Sequence, residues 1–298
     1  MKKGILYILA AYGLWGFFPL YFKTLQGVPA FQIMTHRVVW SFLFVGAIIL
    51  FRQEFKALVK SITLRIALTY LLAGVLLAIN WVTYVWAVNE GFVVEASLGY
   101  FINPLVSVLL GVIFLQERLR PLQWLPVILA AVGVTYLAVS MGQLPWIALV
   151  LAFSFGFYGL MKKVAPLNSL HGLTLETAAI FLPALGFLLF EQFRGAGSFV
   201  NDGLGTTLLL AATGIVTAVP LLFFAAGMKI VPLTTVGLLQ YITPTTQFLL
   251  GVLLYNEPFT KARAIGFVMI WVALAMFTFE NLWHRRPVPA HKPEGISK

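Results

Sequence analysis

Cysteine is absent from the 298 residues, and charge is scarce: Asp, Glu, Lys and Arg together make up 10% of the chain. Without cysteine there is no disulfide framework, no zinc-thiolate site and no catalytic thiol. A soluble domain carries about 25% charged and about 45–50% apolar residues, whereas this chain is 60% hydrophobic and 15% aromatic. So little charge cannot cover a water-facing surface, which excludes a cytosolic enzyme, a disordered protein and a coiled coil. There are 4 histidines, none paired at metal-ligand spacing, and Asp202 is the single aspartate. No metal site and no Ser-His-Asp arrangement is therefore expected. No P-loop pattern occurs, and no polar segment is long enough to house a nucleotide-hydrolysing domain. No cofactor is implied. Gly-x-x-x-Gly is also missing, so the oligomeric state stays open.

What the chain does have is apolar runs of about 20 residues, the length that crosses a bilayer. Ten can be drawn, over 4–22, 33–51, 66–88, 93–115, 122–141, 144–162, 173–190, 205–228, 232–255 and 261–283. The expected fold is an all-α integral membrane protein of ten transmembrane helices. Lys2 and Lys3 before an apolar run also fit a signal peptide, but the run stays bulky through Trp15, Phe17, Phe18, Tyr21 and Phe22 and offers no small-residue cleavage site. With the N-terminus inside, Arg52, Lys56, Lys60, Arg118, Lys162 and Lys163 fall in inner gaps, against Lys23, Arg194, Lys261 and Arg263 in outer ones. Both termini are expected in the cytoplasm, although the gap at Lys261 and Arg263 dissents. The net charge of +10 is read as loop charge facing an anionic inner leaflet. A nucleic-acid partner is not expected, because the basic residues sit in short gaps and form no basic face. The tail, 284–298, with Pro287, Pro289 and Pro293, is expected to be disordered.

A repeat runs through these helices. Pro104 and Pro244 lie at an offset of 140 (244 − 104 = 140), and Gly16/Gly156, Gly74/Gly214, Gly111/Gly251 and Glu117/Glu257 keep the same offset. Tyr100-Phe101-Ile102-Asn103-Pro104 answers Gln240-Tyr241-Ile242-Thr243-Pro244. Chance apolar similarity does not hold Gly, Pro and Glu in register over so many segments. Two five-helix units follow, 1–141 and 144–283. Five is odd, so the second enters the membrane from the opposite side, as in transporters whose inverted halves rock around a midplane site. A duplication that kept the fold without the activity is the alternative.

Polar residues at depth are the functional candidates. Tyr100, Asn103, Gln240 and Tyr241 lie about 12–15 Å into their helices, near the middle of the bilayer, and Trp15 is at similar depth. Asn80 and Tyr84 are placed just outside this group. These aromatics and amides suit an organic solute held by stacking and a few hydrogen bonds; helix–helix glue is the competing reading. Arg37 inside an apolar run would cost about 2.5–3.5 kcal/mol facing lipid. It therefore faces the interior, as an anion anchor, an outer gate or a structural arginine. His36 is either a proton shuttle or a satisfied structural histidine. Glu176 is either a coupling carboxylate or a first-turn acid stabilised by the helix dipole. His36 and Glu176, mates in the repeat, should lie at opposite depths and not pair. Pro104 and Pro244 are expected to kink their helices. Glu117 and Glu257 read as loop signals.

The duplicated segments ending in Glu117 and Glu257, with Pro104 and Pro244 inside, resemble the paired EamA repeats of the drug/metabolite transporter superfamily. Gly13-Leu14-Trp15-Gly16, the string from Thr35 to Ser41, Asn80-Trp81, the string from Gly99 to Leu105 and Leu239-Gln240-Tyr241-Ile242 resemble the RarD subfamily. The resemblance covers all but the tail. It implies a ten-helix permease of the bacterial inner membrane, a link to chloramphenicol sensitivity, and export as the direction.

The resulting expectation is a secondary transporter, not an enzyme, moving a small organic solute by alternating access. Trp15, Asn80, Tyr84, Tyr100, Asn103, Gln240 and Tyr241 are assigned to the solute. His36 and Arg37 are assigned to the outer path and Glu176 to the inner one, with protons a candidate coupling ion. A membrane enzyme acting on lipid-linked substrates would need a polar cluster at one interface. A non-transporting subunit would tolerate alanine at Trp15, Asn103 and Gln240.

Overall fold

The computed structural model describes residues 1–90, 92–139, 145–254 and 261–283. The predicted tail, Glu257 and the Gly142-Gln143 junction lie outside the described residues. Within them the secondary structure is helical, without strands. In chain order the helices are α1 (Lys2–Gly16), α2 (Phe18–Lys23), α3 (Ala30–Phe51), α4 (Phe55–Ser61), α5 (Leu64–Asn89), α6 (Val93–Phe114) and α7 (Pro121–Val139). They continue as α8 (Trp146–Val164), α9 (Ser169–Phe193), α10 (Gly203–Met228), α11 (Leu233–Leu239), α12 (Ile242–Leu254) and α13 (Lys261–Trp283). Among the described residues, 7 spans are long and apolar enough to cross a membrane, counting α1 with α2 and α11 with α12 as one each. Shorter apolar stretches occur at Leu98–Phe114, Pro121–Tyr136 and Ala264–Glu280. This is an all-helical membrane fold.

Three local features depart from the expected helices. The first run breaks at Phe17, because Pro19 at the start of α2 has no N–H with which to continue the ladder of α1. The ninth run breaks at Gln240-Tyr241, and Pro244 then sits in the first turn of α12, where a missing N–H leaves no bond unmade. By contrast α6 runs on through Pro104, freeing the carbonyl of Tyr100 one turn earlier. Between α3 and α5, the gap expected as loop contains α4, whose Leu58 is buried while Lys56 and Lys60 stay exposed.

Packing recurs at the offset of 140. Helix α6 lies on α8 as α11 and α12 lie on α1, and α10 lies on α3 as α5 lies on α9. A Cβ on Gly16 would stand 2.6 Å from Thr246, and one on Gly156 2.6 Å from Val106, itself the mate of Thr246. Likewise Gly74 approaches the carbonyl of Glu176 as Gly214 approaches the backbone of Trp40. These glycines are held by the closeness of the helices they join. Some mates touch each other: the Tyr241 hydroxyl donates to the Phe101 carbonyl at 3.2 Å, and Trp15 meets Phe155 edge-on at 5.8 Å.

Candidate functional site

A cavity of about 340 Å³ opens between α1, α2, α3, α5, α6, α8, α10 and α12. Trp15, Asn80, Tyr84, Tyr100, Asn103 and Gln240 lie on its wall, and so does Arg37. Asn80 and Tyr84, expected just outside the central group, are part of the same wall. Tyr241 is not. It is fully buried, packed with Phe101, Val127 and Ile270, because the break after α11 turns it away from the side Gln240 faces. Among the described lining residues none is acidic.

Much of the wall is aromatic and its polar atoms are few. Asn80 gives both its amide bonds to α8, at 2.9 Å to the Leu151 carbonyl and 3.1 Å to the Ser154 hydroxyl, so it ties α5 to α8. Asn103 and Gln240 differ. They are 4% and 5% exposed, and their side-chain carbonyl oxygens have no partner among the described residues. The hydroxyl of Tyr12, on the same wall and 1% exposed, is also unpartnered. Sequence reading passed over Tyr12; its position three residues before Trp15, on the same helix face, was the available signal.

Arg37 donates its Nε to the Thr217 hydroxyl at 3.0 Å. Its guanidinium carbon lies 4.5 Å from the Trp81 ring centre, 5.2 Å from Phe22 and 5.7 Å from Phe18, a geometry in which ring faces attract the cation. Among the described residues no carboxylate pairs with it. His36 lies about 100° further round α3 and packs on Phe199 at 5.2 Å. It lines a separate crevice with Gln32 and Trp40. Two neighbours assigned to one path therefore belong to two faces.

Toward the opposite end of the bundle lies a second polar cluster. Glu176 is the eighth residue of α9, not a first-turn acid; the helix begins earlier than the apolar run because Asn168 caps it, accepting from the His171 N–H at 2.8 Å. The carboxylate is 0% exposed and takes a 2.7 Å bond from Lys162, itself 3% exposed, and a 3.2 Å bond from the Tyr158 hydroxyl. Lys162 was read as loop charge; it is a buried residue in the last turn of α8. Nearby, Lys163 donates to the Val231 carbonyl at 2.5 Å and Lys229 to that of Ala165. Glu117 is more than a loop signal. Its two oxygens accept from the Leu233 and Thr234 N–H groups at 2.6 and 2.8 Å, capping α11 from across the bundle. Outside the spans, Glu54 accepts from His171 at 2.8 Å and from Arg52 at 2.7 Å. The bond from His171, more than that from Arg52, holds its carboxyl below the ordinary value.

Cavity and cluster are about 16 Å apart along α8, from Leu151 to Lys162. Aromatic rings fill the interval. Phe224 lies 5.5 Å from Trp15 and 5.6 Å from Phe155, and stacks on Tyr158 at 6.1 Å.

The EamA-like transporter family matches this chain twice, over residues 2–139 and 144–279. The uncharacterized transporter YojE of Bacillus subtilis (strain 168) is 48% identical, covering 97% of this chain and 98% of its own. Protein RarD of Streptomyces exfoliatus is 47% identical, covering 94% and 90%. The chain belongs to the RarD subfamily of EamA transporters. It is thus a multi-pass bacterial inner-membrane protein that transports small solutes, and this membership points away from enzymatic chemistry. A solved crystal structure of a protein superimposes with a TM-score of 0.70 over 96% of this chain and 99% of that one, at 22% identity, a likeness of fold alone.

Proposed function

We propose that this protein is a secondary transporter that exports a small organic solute by alternating access. It is built as ten transmembrane helices in two inverted five-helix repeats, 1–141 and 144–283, with both termini in the cytoplasm. The observation that carries this reading is the cavity, walled by both halves of the chain. Contacts between repeat mates and the double family match support the two-unit reading. In this orientation the cavity occupies the outer half of the membrane. The Lys162–Glu176–Tyr158 cluster and the rings around Phe224 close the inner half. Discontinuous helices at a midplane site are common in such transporters, and the break at Gln240 supports that role for α11 and α12. Trp15, Tyr84, Tyr100, Asn103 and Gln240 would contact the solute, Asn80 would hold the wall, and Glu176 would belong to the inner gate. Tyr241 would support the break without touching the solute. A membrane enzyme is disfavoured by the absence of acidic groups among the described lining residues.

The test is solute movement into reconstituted vesicles, with and without a pH gradient, for the native protein and for alanine at Trp15, Asn103 and Gln240. Transport lost in all three variants is expected. Undiminished transport in all three would remove the cavity from the mechanism.

A further inference from the structure

We infer that the solute is an amphipathic organic carboxylate that also carries a hydrogen-bond donor, its carboxylate held by Arg37 and its donor by Asn103 and Gln240. This rests on the transport reading above and specifies the chemistry of its site. A guanidinium has five N–H donors. Here one is taken by Thr217, and the rings of Trp81, Phe22 and Phe18 supply no acceptor in its plane. No carboxylate pairs with it among the described residues, so within them the positive charge on this wall has no counter-ion. A half-buried arginine in that condition matches a bidentate anion, and the planar fork fits a carboxylate.

Another part of the wall has the complementary deficit. Asn103 and Gln240 come from the helices α6 and from the α11–α12 break, three positions out of strict repeat register (240 − 103 = 137). Each is more than nine-tenths buried with an unpartnered carbonyl oxygen. Such atoms are normally satisfied, and an ammonium, amide or hydroxyl from the solute would satisfy both. The Tyr12 hydroxyl is a third free partner. Trp15, Tyr84, Tyr100 and Phe155 provide ring faces on the same wall, so the part of the solute joining its two polar ends is apolar or flat.

A matched series tests this: 4-(aminomethyl)benzoate, 4-methylbenzoate, benzylamine and the methyl ester of 4-methylbenzoate. Each is added to the purified full-length protein at equal ionic strength and read by saturable shift of the thermal unfolding midpoint, then by counterflow in vesicles. The expected order has 4-(aminomethyl)benzoate first and 4-methylbenzoate second, with benzylamine and the ester without effect. Arg37→Gln should weaken both carboxylates roughly 10- to 150-fold, the range of a charge-assisted hydrogen bond. Asn103→Leu with Gln240→Leu should erase only the advantage of the aminomethyl group. Carboxylate binding that survives Arg37→Gln overturns the assignment, as does benzylamine or the ester binding as well as the carboxylates, or binding by no carboxylate. Carboxylates that bind as expected but never cross the vesicle membrane would leave the site's chemistry standing and remove the transport reading instead.

Discussion

The two halves of the bundle treat buried charge in opposite ways at matched places in the chain. At one end Glu176 is met by Lys162 and Tyr158. Their mates at the offset of 140 are His36, Phe22 and Phe18, and next to His36 stands Arg37, wrapped by Phe18, Phe22 and Trp81 with no acid paired to it among the described residues. One end has a satisfied ion pair and is packed shut. The other has a cation with no carboxylate partner among the described residues, and a cavity. A buried pair whose partners are both present is internally complete, whereas a half-buried cation facing a cavity is open to an anion from outside the protein. On the proposed transport reading, the first is a contact that closes a path and the second a group that takes up the solute.

The comparison can be broken most forcefully at Glu176. Glu176→Leu leaves Lys162 buried without its partner and should destabilise the fold by about 3–5 kcal/mol, seen as a lowered unfolding midpoint in detergent. Adding Lys162→Met should restore most of that loss. Arg37→Leu should behave in the reverse sense. Transport of its solute should fall by roughly 10- to 150-fold, while the unfolding midpoint changes far less than in Glu176→Leu, because the buried partner abandoned is the neutral Thr217 hydroxyl and not a charge. A smaller effect is expected of Tyr158→Phe, about 1 kcal/mol for one hydrogen bond, with the cavity unchanged. The smallest belongs to Glu54. Its carboxyl sits below the ordinary value, so its bonds to His171 and Arg52 help the fold above the ordinary carboxylate pKa. That help is lost as pH falls through the depressed one. Unfolding midpoints measured down the acid range should show the native protein converging on Glu54→Gln.

How far the sequence alone reaches differs between the same two regions. The cavity was legible because depth is readable: counting residues into apolar runs places Trp15, Tyr100, Asn103 and Gln240 at one level, and the offset of 140 ties Tyr100 to Gln240. Tyr241 escaped that reasoning, since depth says nothing about which way a side chain turns at a helix break. His36 and Arg37 could have been separated by helical periodicity alone. The Glu176 cluster was hidden for a different reason. Lys162-Lys163 at a helix end looks like solvated loop charge, and only the packing of α8 and α9 on α5 brings the carboxylate within reach. Glu117 was similarly opaque, because the N–H groups it caps belong to residues in the other half of the chain.

The absence of native cysteine allows the central claim, that these two regions open in alternation, to be tested with single introduced thiols. Met34, on the cavity wall, and Thr174, buried near Glu176, are mates at the same offset. Met34→Cys and Thr174→Cys would be labelled by a membrane-impermeant reagent from each side of oriented vesicles, with Glu176 intact and with Glu176→Gln. The account predicts that Met34→Cys reacts from outside and Thr174→Cys is protected when Glu176 is intact. Glu176→Gln should make Thr174→Cys reactive from inside while slowing Met34→Cys. Labelling at both positions that is unchanged by Glu176→Gln, or Met34→Cys reacting only from inside, would contradict it.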